Sequence, residues 1–199
     1  MQLRSVFLCL LLLCSCTSAP VNIHYYLLHT PESHPISIND ASKPTAALQP
    51  LSIADYLQQS SLVMQVNQNQ LHYARQDLWA ETLQSSFYKA LLQDLNTYGQ
   101  RNYMPYTPPY SAQTEVTISV QLDHFHVTDT SSVISSGRYT LSNPSSKDGN
   151  NRNTARSSHA FYFESELTQD GYAHAVEQLR SLVVLLSKQI EEDIAALPD

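Results

Sequence analysis

Cysteine is the residue of this chain best suited to covalent chemistry, and all three cysteines lie near the amino terminus, at positions 9, 14 and 16. A thiol is a strong nucleophile once ionised, and it can carry a thioether-linked lipid. The cysteines lie within or directly after an apolar run from Val6 to Leu13, which follows the positively charged Arg4. The run is shorter than the roughly 20 residues of a transmembrane helix, so the pattern predicts a cleaved signal peptide over residues 1–15.

The end of this segment predicts a lipid modification. The sequence Leu13-Cys14-Ser15-Cys16 resembles the bacterial lipobox, in which the last cysteine is acylated and becomes the first residue of the mature protein. We expect Cys16 to carry a diacylglyceryl group and further chains such as palmitate, each buried methylene contributing about 0.8 kcal/mol to membrane binding. Thr17 follows it rather than Asp, which favours the outer membrane. The alternative is an ordinary secretory signal that happens to contain Cys16.

The composition limits the classes of function. Residues 16–20 would form a short lipid-anchored tether and residues 21–199 one domain, since a domain commonly has about 100–200 residues. The formal net charge is −7 and the sequence has no basic stripe, so nucleic acid is not an expected partner. The four glycines form no phosphate-binding array, which argues against a nucleotide cofactor.

Histidine is the other residue type that could do chemistry here. His124 and His126 are two positions apart, a spacing that directs both imidazoles to the same face of a strand. The sequence nearby offers no further set of cysteines or acidic residues to complete three or four ligands, so we expect solvent-facing histidines and no metal. The motifs of serine hydrolases and zinc proteases are also absent. We therefore expect neither catalysis nor a cofactor.

Apolar alternation predicts the strands. The clearest runs from Thr114 to Val127, where the apolar phase changes at Asp123-His124 and thereby indicates a β-bulge. An Asn-rich turn at residues 67–69 predicts a hairpin. The other predicted strands are residues 22–28, 51–53, 62–66, 71–74, 132–141 and 158–167, with loops at 29–49 and 142–158.

Two amphipathic helices complete the prediction. The first begins with Asp77 as its N-cap, contains Trp79 on its apolar stripe and ends at Gly99. The second is capped by Asp170 and continues with apolar residues three and four positions apart until Pro198. The expected fold class is α+β, a single domain with two amphipathic helices packed on one face of a mixed, mainly antiparallel sheet.

Four short segments point to a known family. They are Tyr25-Tyr26-Leu27-Leu28, Asp55-Tyr56-Leu57, Leu78-Trp79-Ala80 and Thr168-Gln169-Asp170-Gly171-Tyr172. With the lipobox and their order, they resemble the ABC-transport auxiliary lipoprotein family. The resemblance implies an outer-membrane lipoprotein, its body facing the periplasm, that serves an MCE-type system for lipid transport between membranes. It implies as partners an MCE-domain protein anchored in the inner membrane and a polytopic membrane protein, and it implies no catalytic residues.

A tyrosine-rich segment from Tyr98 to Tyr110 is the candidate docking surface. Its prolines at positions 105, 108 and 109 are incompatible with a regular helix or an inner strand. Tyrosine is common at protein interfaces, so we hypothesise that Tyr103, Tyr106 and Tyr110, or the loop at 142–158, contact the MCE partner. The alternative is a loop folded over the core.

The leading interpretation of the sequence is a lipid-anchored docking adaptor for the periplasm-spanning MCE protein. A homo-oligomeric ring of copies is compatible with this role. Two alternatives stay open. One is a structural assembly lipoprotein of another envelope complex, such as a pilotin, and the other is a periplasmic module that binds a small apolar ligand.

Overall fold

Nine strands and two α-helices form the part of the chain that the computed structural model describes, namely residues 21–30, 42–108, 114–143 and 155–197. The strands are β1 (His24–Tyr26), β2 (Thr45–Leu48), β3 (Ser52–Ile53), β4 (Ser61–Asn67), β5 (Gln70–Trp79), β6 (Asn102–Pro105), β7 (Val116–Thr128), β8 (Ser132–Asn143) and β9 (Ala155–Glu166). The helices are α1 (Leu83–Tyr98) and α2 (Tyr172–Ala195), and a 3-10 turn covers Asp55–Leu57.

The long strand β7 organises the sheet. Strand β8 pairs with it in antiparallel fashion, and β9 pairs antiparallel with β8 at the outer edge. Three shorter strands, β2, β3 and β4, share the opposite edge of β7 and run parallel to it. The sheet extends beyond β2 through β6, and beyond β4 through β5 and then β1. The sheet is therefore mixed and its longest pairings are antiparallel, which confirms the predicted fold class.

The two helices pack together and against the sheet around one apolar core. On α1, the buried Phe87 meets Phe125 of β7 edge to face, with ring centroids 5.2 Å apart. On α2, Leu179, Val183 and Ile190 are buried against α1 and the sheet. Apolar residues three and four positions apart lie on one side of a helix, which explains why this spacing predicted both helices.

The predicted bulge in β7 is confirmed. The register of β7 against β8 shifts between Leu122 and His124, so that apolar residues face the core on both sides of the shift. Gly137 pairs with Leu122 at this point, and a Cβ added to it would fall 2.1 Å from the Gln121 carbonyl oxygen. Only glycine allows the two strands to approach so closely here.

The first helix begins later than predicted. Asp77 and Trp79 both lie in β5, and α1 begins at Leu83 with Thr82 as its N-cap. Pairing with β1 on one side and β4 on the other extends β5 through residues that resemble a helix start in sequence. Trp79 is nevertheless a core residue, 5% exposed, and α1 ends at Gly99, as predicted.

Two segments predicted as loops contain strands. Residues 45–48 form β2, and residues 102–105 form β6, which pairs with β2. The side chains of Ala46, Ala47 and Leu48 are fully buried, although two alanines give little strand signal. Strand β6 lies at an edge of the sheet and ends at Pro105, a position where proline removes no hydrogen bond of an inner ladder.

The boundaries near the carboxyl end also differ from prediction. Strands β8 and β9 both continue into the predicted loop at 142–158, of which residues 144–154 lie outside the described residues. The N-cap of α2 is Gly171, whose φ of 104° favours glycine. No side chain caps the start of this helix, so the cap predicted at Asp170 is wrong. Neither α1 nor α2 is long and apolar enough to cross a membrane.

Candidate functional site

Two of the four family-like segments meet at one side of the sheet. Tyr26 of β1 pairs with Trp79 of β5, and the Ala80 N–H donates to the Tyr26 carbonyl oxygen over 2.8 Å. The Tyr26 hydroxyl donates to Oδ1 of Asp77 over 2.9 Å. Burial, together with the hydrogen bond and charge of Asp77, raises the pKa of Tyr26 to about 12. This hydroxyl therefore remains a hydrogen-bond donor at neutral pH.

A third segment is linked to Asp77 electrostatically through Tyr172, the first residue of α2. Burial and then the negative charge of Asp77 raise the pKa of Tyr172. The charge of Asp77 therefore acts on tyrosines of two segments, Tyr26 and Tyr172. The sequence pattern around Asp77 predicted a helix cap and not this role, since a single acidic residue in a polar stretch gives no signal of its tertiary partners.

A cavity of about 240 Å³ opens beside the start of α2, and we call it the helix-start cavity. Its apolar wall consists of Met64, Val127, Leu167, Tyr172 and Ala175. Its polar rim consists of Thr128, Asp129, Ser131, Gln169, Asp170 and Gly171. A Cβ added to Gly171 would meet no heavy atom within 4 Å, so space is open beside the backbone. An apolar wall with a polar rim suits the insertion of an apolar group.

The fourth segment, Asp55-Tyr56-Leu57, supports a separate polar cluster. Nδ1 of His126 lies 3.0 Å from the Tyr56 hydroxyl, and its Nε2 lies 3.1 Å from Oε1 of Gln65. His126 is 2% exposed, so the prediction that it faces solvent is wrong. His124 is exposed, as predicted. Burial, with a smaller contribution from His124, lowers the pKa of His126 to about 4. The ring is therefore neutral at physiological pH.

The two histidines are close to each other. The rings of His124 and His126 have centroids 5.7 Å apart, and both line a second cavity of about 230 Å³ with Tyr56. Within the described residues, no group of three or more histidine, cysteine or acidic side chains is placed to hold a metal ion. The hydrogen bonds of His126 to Tyr56 and Gln65 give it a structural role in joining the 3-10 turn to β4 and β7.

The structure separates the three tyrosines proposed for docking. Tyr103 is fully buried, its hydroxyl donates to the Glu191 carboxylate of α2, and its backbone N–H donates to Oδ1 of Asn96 over 3.1 Å. A buried side chain offers nothing to a partner, so the docking role predicted for Tyr103 is wrong. Tyr106 is half-buried, and Tyr110 lies outside the described residues. Cys16 also lies outside them, so its acylation stays a prediction.

An ion pair between the helices was not predicted. Nη1 and Nη2 of Arg180 on α2 donate to the two carboxylate oxygens of Asp94 on α1, each over 2.6 Å. The Asp94 side chain is 4% exposed, and this burial raises its pKa. The hydrogen bonds and charge of Arg180 act in the opposite direction and lower the pKa. The available signal was Asp94 itself, an acidic residue on the apolar stripe between Leu91 and Leu95.

The fold and the family-like segments define the class of protein. Residues 26–191 match the family described as the ABC-type transport auxiliary lipoprotein component. The chain belongs to this family, and it is therefore an auxiliary lipoprotein of a transport system.

Individual relatives agree with this class. The chain is 26% identical over 186 residues to the intermembrane transport lipoprotein PqiC of Escherichia coli (strain K12), covering 94% of each protein, and equally similar to PqiC of Shigella flexneri. A crystal structure of an uncharacterized protein matches 87% of this chain and 99% of its own, with a TM-score of 0.70 and 21% identity. A protein from Xanthomonas campestris matches with a TM-score of 0.57 and 9% identity, over 85% of this chain and 92% of its own. These structures support the fold alone.

Proposed function

We propose that this protein is an outer-membrane-anchored adaptor that docks the periplasm-spanning MCE-domain protein of an intermembrane lipid transport system. The names of its relatives, which are intermembrane transport lipoproteins, support the transport role. The single observation that carries the docking role is the helix-start cavity, to which the segments around Met64, Val127 and Tyr172 all contribute. Its partner would insert an apolar side chain there.

The size of the cavity favours docking over lipid carriage. About 240 Å³ is less than the roughly 300–1,000 Å³ of pockets that enclose drug-sized ligands, and a phospholipid with two acyl chains is larger still. One or two apolar side chains of a partner fit this space, and buried anchors of this kind commonly dominate the affinity of an interface. A conduit supplied by the partner would then carry the lipid while this protein holds the conduit at the membrane.

The anchor would set the height of the body. Acylated Cys16 is the fixed point, and Asn22 follows it by six residues, which span at most about 22 Å when fully extended. The body would therefore stay next to the outer membrane and receive the distal end of the MCE protein. Several copies arranged as a ring would surround that end, and the polytopic component would complete the system at the inner membrane.

Site-specific photocrosslinking in cells tests the docking role. A photoreactive residue replaces Gln169, an exposed residue on the rim of the helix-start cavity, in the full-length chain. The matched control replaces Ala160, which is also exposed. Ala160 lies on β9, about 20 Å from Glu166, the last residue of that strand. We expect the MCE-domain protein to be captured from position 169 and not from position 160.

Three other outcomes would contradict the proposal. Capture of a component of a secretion apparatus from position 169 would favour the structural assembly role. Equal capture of the MCE protein from both positions would mean that the cavity is not the docking site. Absence of any captured protein from position 169, with normal amounts of the variant in the membrane, would remove the basis for an adaptor.

A further inference from the structure

An exposed apolar ridge precedes and includes β1. Val21, Ile23, Tyr25 and Leu27 are 67, 44, 63 and 38% exposed, and we call these four residues the β1 ridge. Nine large hydrophobic side chains are exposed among the described residues. The four of the β1 ridge lie within seven consecutive positions. Edge strands of water-soluble proteins normally expose polar or charged side chains, and clustered apolar exposure marks a contact surface.

Three of the intervening residues make internal contacts, although His24 is itself exposed. His24 Nδ1 lies 3.1 Å from Oδ1 of Asp77, Tyr26 donates to the same oxygen, and Leu28 is 2% exposed in the core. The strand thus presents apolar side chains outward while its alternate residues make the internal contacts. Tyr25 pairs with the half-buried Leu78 of β5, and paired residues of parallel strands share a face, so the apolar surface continues onto β5.

The position of the β1 ridge along the chain identifies what it contacts. Val21 follows Cys16 by five residues, and five extended residues span at most about 18 Å. We infer that the β1 ridge rests on the phospholipid surface to which the acylated Cys16 holds the protein. This inference depends on the anchor in the proposed function. The aliphatic side chains of Val21 and Ile23 would reach the boundary of the acyl region, and the Tyr25 hydroxyl would lie among the headgroups, as tyrosine does at membrane interfaces.

Charge supports a contact with zwitterionic lipid. None of the four ridge residues carries a charge, and the whole chain has a formal net charge of −7. Attraction to anionic headgroups therefore does not drive the contact, and burial of apolar surface does. Because β1 is also joined to β5 by the hydrogen bond from Tyr26 to Asp77, contact through the ridge would orient the rest of the body, including the helix-start cavity, relative to the membrane.

Fluorescence quenching by brominated lipids tests the inference. The domain contains no cysteine, so Ile23→Cys introduces a unique thiol for a polarity-sensitive fluorophore in the mature, acylated protein. A second labelled variant, Tyr25→Cys, covers the case in which the first fails to fold, and Ala160→Cys on the exposed side of β9 is the control. The proteins are reconstituted in phosphatidylcholine vesicles whose acyl chains are brominated near the headgroup. We expect at least threefold stronger quenching at positions 23 and 25 than at position 160.

The possible results separate this inference from the proposed function. If the protein floats with the vesicles but positions 23 and 25 are quenched no more than position 160, the ridge does not contact lipid while the anchor stands. If the protein does not float, both the anchor and the ridge contact are wrong. A blue shift at positions 23 and 25 that appears without vesicles and grows with protein concentration would assign the ridge to a second copy of the chain instead.

Discussion

The ion pair between Asp94 and Arg180 allows the packing of the two helices to be tested quantitatively. The guanidinium makes two 2.6 Å hydrogen bonds to a carboxylate whose side chain is 4% exposed, while Arg180 itself is 27% exposed. Replacing Arg180 by Met keeps an apolar stem over α1 but leaves the carboxylate without its partner. Breaking such a buried pair commonly lowers the free energy of unfolding by about 3–5 kcal/mol.

Protonation of Asp94 limits the part of that loss that comes from the unpaired charge. Without Arg180, the Asp94 carboxylate can take up a proton. With an ordinary pKa near 3.9 and 1.36 kcal/mol for each pKa unit, protonation at pH 7 requires at most about 4 kcal/mol. At pH 5 the same limit is about 1.5 kcal/mol. We therefore expect Arg180→Met to lower stability by about 3 kcal/mol at pH 7, equivalent to about 6–12 °C in Tm for a domain of this size. The loss should be at least halved at pH 5.

Urea denaturation of the purified mature protein at both pH values measures these differences. The double variant Asp94→Leu with Arg180→Met is the matched control, because replacing both charges by apolar residues removes the unpaired group and should recover most of the lost stability. A loss at pH 5 equal to that at pH 7 would refute the reasoning, since it would show that an unpaired charge is not the cause. Failure of the double variant to recover stability would also refute it.

Three further predictions concern residues whose surroundings the structure defines. The pKa of His126 is about 4 in the folded protein and about 6.5 in the unfolded chain, so the unfolded chain binds the proton more readily as the pH falls. The free energy of unfolding should therefore fall by about 3 kcal/mol between pH 6.5 and pH 4. Denaturation of His126→Gln should show no such dependence. A Cβ on Gly99 would lie 2.5 Å from the ring of Tyr103, so Gly99→Ala should lower stability by about 1–3 kcal/mol, and an unchanged Tm would contradict this packing. Tyr103→Ala should lower Tm by several degrees because its buried side chain is lost, and an unchanged Tm would contradict this burial.

The amino-acid sequence by itself determined the features that depend on local order. The apolar spacing of residues 172–195 predicts α2, and the change of phase at Asp123-His124 predicts the bulge in β7. Both signals arise because side-chain direction repeats with a fixed period along a helix or strand. The lipobox-like sequence ending at Cys16 and the four short segments likewise depend on consecutive residues, and their resemblance pointed to the family from the sequence.

Only the tertiary structure decided the features that depend on distant pairing. Trp79 has neighbours typical of a helix start, yet it ends a strand because β1 and β4 pair with β5 on both sides. Tyr103 lies in a proline-broken segment that resembles a surface loop, yet it is buried because α2 supplies Glu191 to its hydroxyl. The helix-start cavity combines residues from position 64 to position 175, and no local pattern specifies that these residues meet. Burial and cavities arise from contacts between elements far apart in the chain, which is why local periodicity could not reveal them.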